Sequence, residues 1–202
     1  NQLRSALDKN EFEIHYQPQI DISTGKVCAL EALLRWRNEH LGFVPPLKFI
    51  GIAEETHLIA PIGYWVLEKS CLFLKDLHAL GYTDLRISVN VSVIQIMQQD
   101  FTDRVMGILS RTGLSPKYLE LEVTESVFID SFEEIRNKIE YLMSQGISFA
   151  LDDFGKGYSS LNYLTQLPIS TLKIDKSFID TIESQSSENL LTNMMIIIGR
   201  KL

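Results

Sequence analysis

Segments typical of strands alternate with segments typical of helices along most of the chain. Six short runs rich in β-branched and aromatic residues predict strands at residues 12–20, 27–36, 85–91, 118–123, 147–152 and 170–174. Amphipathic runs predict helices at residues 46–55, 65–80, 101–113, 131–146 and 159–167. This alternation favours an α/β fold in which helices connect parallel strands.

The first two predicted strands are an exception, because only the segment DISTGK, Asp21 to Lys26, separates them. A parallel crossover needs about a dozen residues or more, so these two strands should form an antiparallel hairpin. The expected architecture is therefore a barrel or an open sheet with one reversed strand. Ligands in such folds bind at the carboxyl ends of the parallel strands.

Composition limits the classes of function. The chain has 202 residues, with 19 Lys and Arg against 26 Asp and Glu, and its net charge of −7 argues against a general affinity for nucleic-acid backbone. Cys28 and Cys71 show no CxxC spacing and the four histidines form no HxxxH pair, so the ligands of any metal should be mostly oxygens. No apolar run approaches the ~20 residues that span a bilayer, and we expect this chain to be cytoplasmic even if the full-length protein is membrane-anchored.

Polar side chains gather at the predicted carboxyl ends of the strands. They are Asn90, Glu122, Glu125, Asp152, Asp153, Lys173 and Asp175, and the hairpin adds Gln17, Glu31 and Arg35. Any one of them alone is more typical of a cap or a salt bridge, but their convergence from separate strands favours Mg²⁺ or Mn²⁺. Glu31 lies in an otherwise apolar strand and should be the most costly carboxylate to bury.

A charge count favours two metal ions. Glu31, Glu122, Asp152 and Asp153 together carry four negative charges, which two divalent cations would neutralise. Two metals would polarise a phosphoryl oxygen and activate a water, while Lys173 could orient that water or stabilise developing charge. The residues alone therefore predict metal-assisted phosphoester hydrolysis. The glycines at 155 and 157 do not supply the spacing of a P-loop.

Five motifs occur in a fixed order: EALLRW, SVNVS, EVTES, DDFGKGYSS and LKIDKSFI. With YQPQIDISTGKV and PPLKFIGIAEETHLI, they make the chain resemble the EAL domain, the bacterial cyclic di-GMP phosphodiesterase family, across essentially residues 1–202. The resemblance implies a modified TIM-like (β/α)8 barrel with an antiparallel first strand. It also implies hydrolysis of cyclic di-GMP to linear pGpG with Mg²⁺ or Mn²⁺ in second-messenger signalling.

The resemblance also implies roles for single residues. Glu31, Asn90, Glu122 and Asp152 would hold metal, and Asp153 would serve a second ion. Lys173 would position or deprotonate the attacking water, which makes Lys173, Glu31 and Asp152 the expected catalytic set. Gln17 and Arg35 would contact the substrate. Glu125 would hold the loop after its strand, a loop that this family links to dimerisation and regulation, so a homodimer is expected.

Three departures from the family pattern stand out. Lys156 occupies a position where a smaller or uncharged residue is usual, and His57 one where glycine is usual. The chain ends before the last two strands of the family barrel, which bring a further Glu and Gln. We therefore expect residues 1–202 to be an EAL domain incomplete at its C-terminus and excised from a larger multidomain signalling protein. We expect weak or absent catalysis from it and activity from the complete domain.

Two other hypotheses belong to different functional classes. One is a catalytically silent receptor that binds cyclic di-GMP and signals to a partner, and the other is a protein-interaction surface that needs no nucleotide. Loss of metal ligands would favour the receptor, but every ligand expected within this span is present. The sequence therefore favours the enzyme.

Overall fold

The computed structural model describes residues 2–128, 131–155, 166, 168–180 and 188–200 of the chain. These residues divide into two compact units, Asn1–Glu120 and Leu121–Leu202.

The first unit is built on strands β1 (Phe12–Asp21), β2 (Lys26–Asn38), β3 (Gly42–Val44) and β4 (Arg86–Asn90), and it includes the beginning of β5 (Leu119–Thr124). β2 pairs antiparallel with β1 and β3, and parallel with β4. The predicted hairpin is confirmed, since Asp21 pairs with Lys26 and its Oδ1 accepts backbone N–H bonds from Ser23 and Thr24 at 2.8 and 2.9 Å.

The helices of the first unit are α1 (Gln2–Ser5), α2 (Pro46–Glu55), α3 (Ile59–Ala79), α4 (Val93–Ile96) and α5 (Phe101–Thr112), with a 3-10 turn at Pro116–Tyr118. α2 matches its prediction, whereas α3 begins six residues before the predicted start at residue 65. Pro61 lies in the first turn of α3, where a helix tolerates proline because that N–H has no intrahelical partner. His57, between α2 and α3, has a left-handed φ of 57°.

An aromatic cluster joins the hairpin to α2 and α3. The ring of Phe12 lies 6.0–6.2 Å from the rings of Trp36, Phe49 and Trp65, and further along β1 the ring of Tyr16 stacks on Phe73 at 3.8 Å. Side chains alternate across a strand, so the even-numbered residues of β1 face the helices. The odd-numbered residues of β1, with their partners on β2, lie on the opposite face.

The second unit holds the rest of β5, strands β6 (Ser148–Phe154) and β7 (Thr171–Ile174), and helices α6 (Phe132–Ser144), α7 (Lys176–Asp180) and α8 (Glu188–Gly199). β6 and β7 pair in parallel, with a register shift between Leu151 and Phe154. α6 buries Ile135, Ile139 and Leu142 at 3.6-residue spacing. The helix predicted at residues 159–167 lies outside the described residues, apart from residue 166.

The pairing of β2 with β4 and of β6 with β7 confirms the predicted α/β fold with parallel strands and a reversed first strand. Strand β3, only three residues long, and the helices α1, α4, α7 and α8 were not predicted. Within the described ranges, no helix combines the length and the apolar character needed to cross a membrane.

Candidate metal and phosphate site

In the first unit, the predicted site residues lie on the face of the sheet opposite α2 and α3. Gln17 pairs with Glu31 across the hairpin, and Glu31 pairs in register with Ser88 on β4. Two residues beyond Ser88, the Asn90 amide Nδ2 donates to Glu31 Oε1 at 3.1 Å. Strand alternation thus brings Gln17, Glu31 and Asn90 to one face.

Glu31 is half-buried, so the prediction that it is the most costly carboxylate to bury is wrong. It lies near the carboxyl end of β4, where Asn90 is exposed and offers an amide donor. A buried carboxylate of the first unit is instead Glu120, 6% exposed, which accepts a hydrogen bond from the Ser88 hydroxyl at 3.0 Å. Glu120 is not among the residues that the sequence predicted for the site.

Arg35 lies four residues beyond Glu31 on β2 and therefore on the same face. Its guanidinium Nη1 donates to the backbone carbonyl of Leu34 at 2.9 Å, and the residue is half-buried. The hydrogen bond to the backbone of β2 thus fixes the orientation of one edge of the guanidinium. A guanidinium presents five N–H donors, so others are available for an anionic ligand.

In the second unit, Lys173 of β7 is the centre of an ion cluster. Its ammonium contacts the Glu122 carboxylate of β5 and lies 3.2 Å from Asp152 Oδ2 of β6. A carboxylate oxygen of Glu122 lies within 4.8 Å of one of Asp152. The side chain of Glu122 is 0% exposed, while those of Asp152 and Lys173 are 21% and 23% exposed. Of these three side chains, solvent therefore reaches Asp152 and Lys173.

Asp153 follows Asp152 within β6, which extends two residues beyond its predicted end. Its φ of 55° is left-handed, and its backbone N–H donates to Asp152 Oδ1 at 2.9 Å. The positive φ interrupts the regular strand geometry at Asp153. Asp tolerates this region better than most residues because its short polar side chain bonds locally.

Glu125 lies at the first position of a 3-10 turn, Glu125–Phe128, that directly follows β5. It is 9% exposed, and its Oε1 accepts the backbone N–H of Gly155 at 2.7 Å. This bond ties the segment after β5 to the turn after β6. Glu125 therefore acts on the backbone that follows Asp152 and Asp153.

Asp175 has a structural role in this unit. It is 7% exposed, and its Oδ1 accepts both the hydroxyl and, at 2.9 Å, the backbone N–H of Ser177 in the first turn of α7. This is the arrangement of a helix N-cap. Asp175 was predicted among the polar residues at the strand ends, and this capping role explains why a carboxylate stands there.

The donor chemistry of Glu122 and Asp152 fits a hard divalent cation. Both offer carboxylate oxygens, the ligands that Mg²⁺ and Mn²⁺ prefer, and the lysine ammonium beside them balances only one of their two charges. An ammonium next to a divalent cation is also suited to bind a phosphate oxygen. The cluster therefore has the charge and the donors of a metal-assisted phosphoester site.

The family model described as "EAL domain" matches residues 1–202. Among curated relatives, the signaling protein YkoW of Bacillus subtilis is 39% identical over 200 residues, covering 99% of this chain and 25% of the relative. The cyclic di-GMP phosphodiesterase NbdA of Pseudomonas aeruginosa is 38% identical over 201 residues, covering 100% of this chain and 26% of the relative. The chain thus spans about a quarter of the length of these relatives.

Two solved structures with similar folds are named as a phosphodiesterase and as an EAL enzyme. The PaMucR phosphodiesterase in complex with c-di-GMP superposes with a TM-score of 0.93 at 38% identity, covering 98% of this chain and 81% of that one. The cAMP-bound EAL enzyme Bd1971 gives a TM-score of 0.92 at 32% identity, covering 100% of this chain and 56% of that one.

Proposed function

The chain belongs to the EAL domain family, and from this premise we propose that the polypeptide that contains it is a metal-dependent phosphodiesterase that hydrolyses cyclic di-GMP to linear pGpG. The observation that carries the proposal is the contact of the Lys173 ammonium with both Glu122 and Asp152. The names of NbdA and of the PaMucR complex support this substrate. The reaction would serve bacterial second-messenger signalling.

The proposed metal ligands are Glu31, Asn90, Glu122 and Asp152, with Asp153 serving a second ion. All five offer side-chain oxygens, which suits Mg²⁺ or Mn²⁺. When bound, such ions polarise the phosphoryl oxygen and make a water more acidic. The chain's own contribution is to hold these oxygens in place, as Asn90 does by donating to Glu31.

Lys173 is the proposed catalytic cation, together with Glu31 and Asp152. Its ammonium has three N–H donors and no acceptor, so it can donate to the attacking water oxygen or to a phosphoryl oxygen as negative charge develops there. Burial of Glu122 fixes one end of the cluster, since its side chain is 0% exposed. Lys173 and Asp152, both partly exposed, would face the substrate.

Arg35 and Gln17 are the proposed substrate contacts. A guanidinium binds phosphate through paired N–H bonds, and the Gln17 amide can donate to or accept from a guanine or ribose group. Gln17 is exposed and pairs with Glu31, which puts it beside a proposed metal ligand.

Glu125 is proposed to hold a regulatory loop, on the strength of its bond to Gly155.

A homodimer is also proposed, supported by the exposed apolar side chains of Met194, Ile196 and Ile197 on α8. Sedimentation velocity on the chain would show a species of twice the monomer mass. A cytoplasmic location stays a prediction.

The test uses the longest natural polypeptide that contains these residues, incubated with cyclic di-GMP and Mn²⁺ and analysed by chromatography. We expect pGpG to form, and Asp152→Asn to abolish it while Asp8→Asn, in the segment between α1 and β1, leaves it unchanged. Binding of cyclic di-GMP without any product would instead support the silent receptor. Neither binding nor product would contradict both.

A further inference from the structure

The backbone makes an unusual turn directly after the paired aspartates. Asp153 has a φ of 55° and Gly155 a φ of 104°, so two left-handed residues occur within three positions. The left-handed Asp153 carries a backbone cost that contacts with the surrounding structure offset. Asp152 supplies one local contact by accepting the Asp153 N–H at 2.9 Å.

Three side chains from different elements contact Gly155. On one side, its N–H donates to Glu125 Oε1 at 2.7 Å. On another, the Phe178 ring of α7 and the Met195 methyl of α8 lie directly against it, since a Cβ built at residue 155 would come within 2.5 Å of Phe178 Cε2 and of Met195 Cε. The ring edge and the methyl group thus occupy the space of a side chain at this position.

Phe178 is itself fixed on both sides. Its backbone N–H donates to the Asp175 carbonyl at 3.1 Å, and its carbonyl accepts the Thr192 hydroxyl of α8 at 3.2 Å. Thr192 is 2% exposed, so this bond between α7 and α8 is shielded from water. These two hydrogen bonds therefore fix the backbone of the residue whose ring contacts the turn.

We propose that Phe178 is a positioning residue that acts through Gly155 to set the backbone of Asp152 and Asp153, and thereby the affinity of the site for a divalent cation. The ring blocks the turn from relaxing toward α7, and Glu125 holds it from the other side. The link to metal rests on the proposed function. The effect of Phe178 on the turn does not rest on that function, because it depends on the contacts of Gly155 with Phe178 and Glu125.

The experiment compares Phe178→Ala and Phe178→Leu with Leu142→Ala, which removes a 0% exposed side chain from α6 in the same unit. Hydrogen exchange of the Gly155 amide is measured by NMR in metal-free protein, and Mn²⁺ affinity is measured by calorimetry. In Phe178→Ala we expect exchange at Gly155 to accelerate about tenfold or more and Mn²⁺ affinity to fall about tenfold. Phe178→Leu should restore most of both.

Leu142→Ala should lower the melting temperature but leave both quantities near the parent's. If Gly155 exchange in Phe178→Ala matches that in Leu142→Ala, the positioning role is overturned. If exchange accelerates while Mn²⁺ affinity is unchanged, the turn does not set the metal site and the proposal is likewise overturned. Because the exchange measurement needs neither metal nor substrate, its result is distinguishable from failure of the phosphodiesterase function.

Discussion

Lys173 Nζ lies 3.2 Å from Asp152 Oδ2 while it also contacts the buried carboxylate of Glu122. Two carboxylates and one ammonium leave one net negative charge in this cluster. The lysine therefore stabilises Glu122, whose side chain is 0% exposed, and still leaves charge for a cation to neutralise.

Lys173→Met should separate stability, metal binding and catalysis. In EDTA the variant should lose roughly 1–3 kcal/mol of unfolding free energy, less than for a fully buried pair because Lys173 is partly exposed. Mn²⁺ should bind at least as tightly as in the parent, because the cluster then carries two net negative charges, but hydrolysis should be lost. Urea unfolding, calorimetry and a pGpG assay measure the three quantities.

A suitable control is Lys176→Met, which removes the exposed pair with Asp180 on α7. Such pairs contribute about 0–1 kcal/mol, so stability and activity should change little. Undiminished hydrolysis by Lys173→Met would show that the lysine has no catalytic role.

Asn90→Asp tests the contact between the Asn90 amide and Glu31, now 3.1 Å from N to O. The substitution places two carboxylates face to face, which should lower the metal-free unfolding free energy by about 1 kcal/mol at this exposed position. A divalent cation should reverse that loss, because it would neutralise the added charge. Urea midpoints in EDTA and in Mn²⁺ measure this, and a loss that Mn²⁺ does not reverse would argue against metal binding at Asn90.

His57→Gly should stabilise the first unit. His57 is exposed and has a φ of 57°, a region where a side chain costs about 1 kcal/mol and glycine does not. We expect the unfolding free energy to rise by roughly 0.5–1 kcal/mol in denaturant titrations. The matched control is His40→Gly, because His40 is exposed but has no positive φ. It should be neutral or destabilising, and equal shifts in both variants would refute the strain argument.

Glu11 should make stability depend on pH. Hydrogen bonds from Asn38 and then Trp36, at 2.9 and 2.8 Å, lower the pKa of Glu11 below its ordinary value. A lowered folded-state pKa means that the stabilisation is present above the unfolded-state pKa and is lost as pH falls through the folded one. The stability difference between the parent and Glu11→Gln should therefore be largest near neutral pH and shrink as the pH falls below 4.5, the ordinary pKa of a glutamate. A difference that stays constant over this range would contradict the assignment.

Local features of the fold were predictable from the sequence. The loop of six residues determined the antiparallel hairpin, because chain length alone excludes a crossover. The bounds of α2 were also predicted correctly. Strand β3 was missed because three residues are too few for a period-2 pattern, and the start of α3 was placed too late because a proline in the first turn resembles a helix break.

Side-chain contacts at the site were less predictable. Lys173 and Glu122 are 51 positions apart, so no local pattern could show that they meet, although their places at strand ends suggested it. The degree of burial of Glu31 was misjudged because strand composition does not reveal that Asn90 offers it an amide at an exposed edge. The contact of Phe178 with Gly155 had no signal in the sequence beyond the glycine itself.

The most direct test of the central claim is hydrolysis of cyclic di-GMP in ¹⁸O-labelled water by the longest natural polypeptide that contains these residues, followed by mass spectrometry of the product. Attack of a water oxygen on phosphorus breaks one phosphoester bond and leaves that oxygen in the new terminal phosphate. The account predicts pGpG with one ¹⁸O atom, formed with Mn²⁺ and abolished by EDTA or by Asp152→Asn. Labelled pGpG that forms equally well with EDTA or in the Asp152→Asn variant would contradict it.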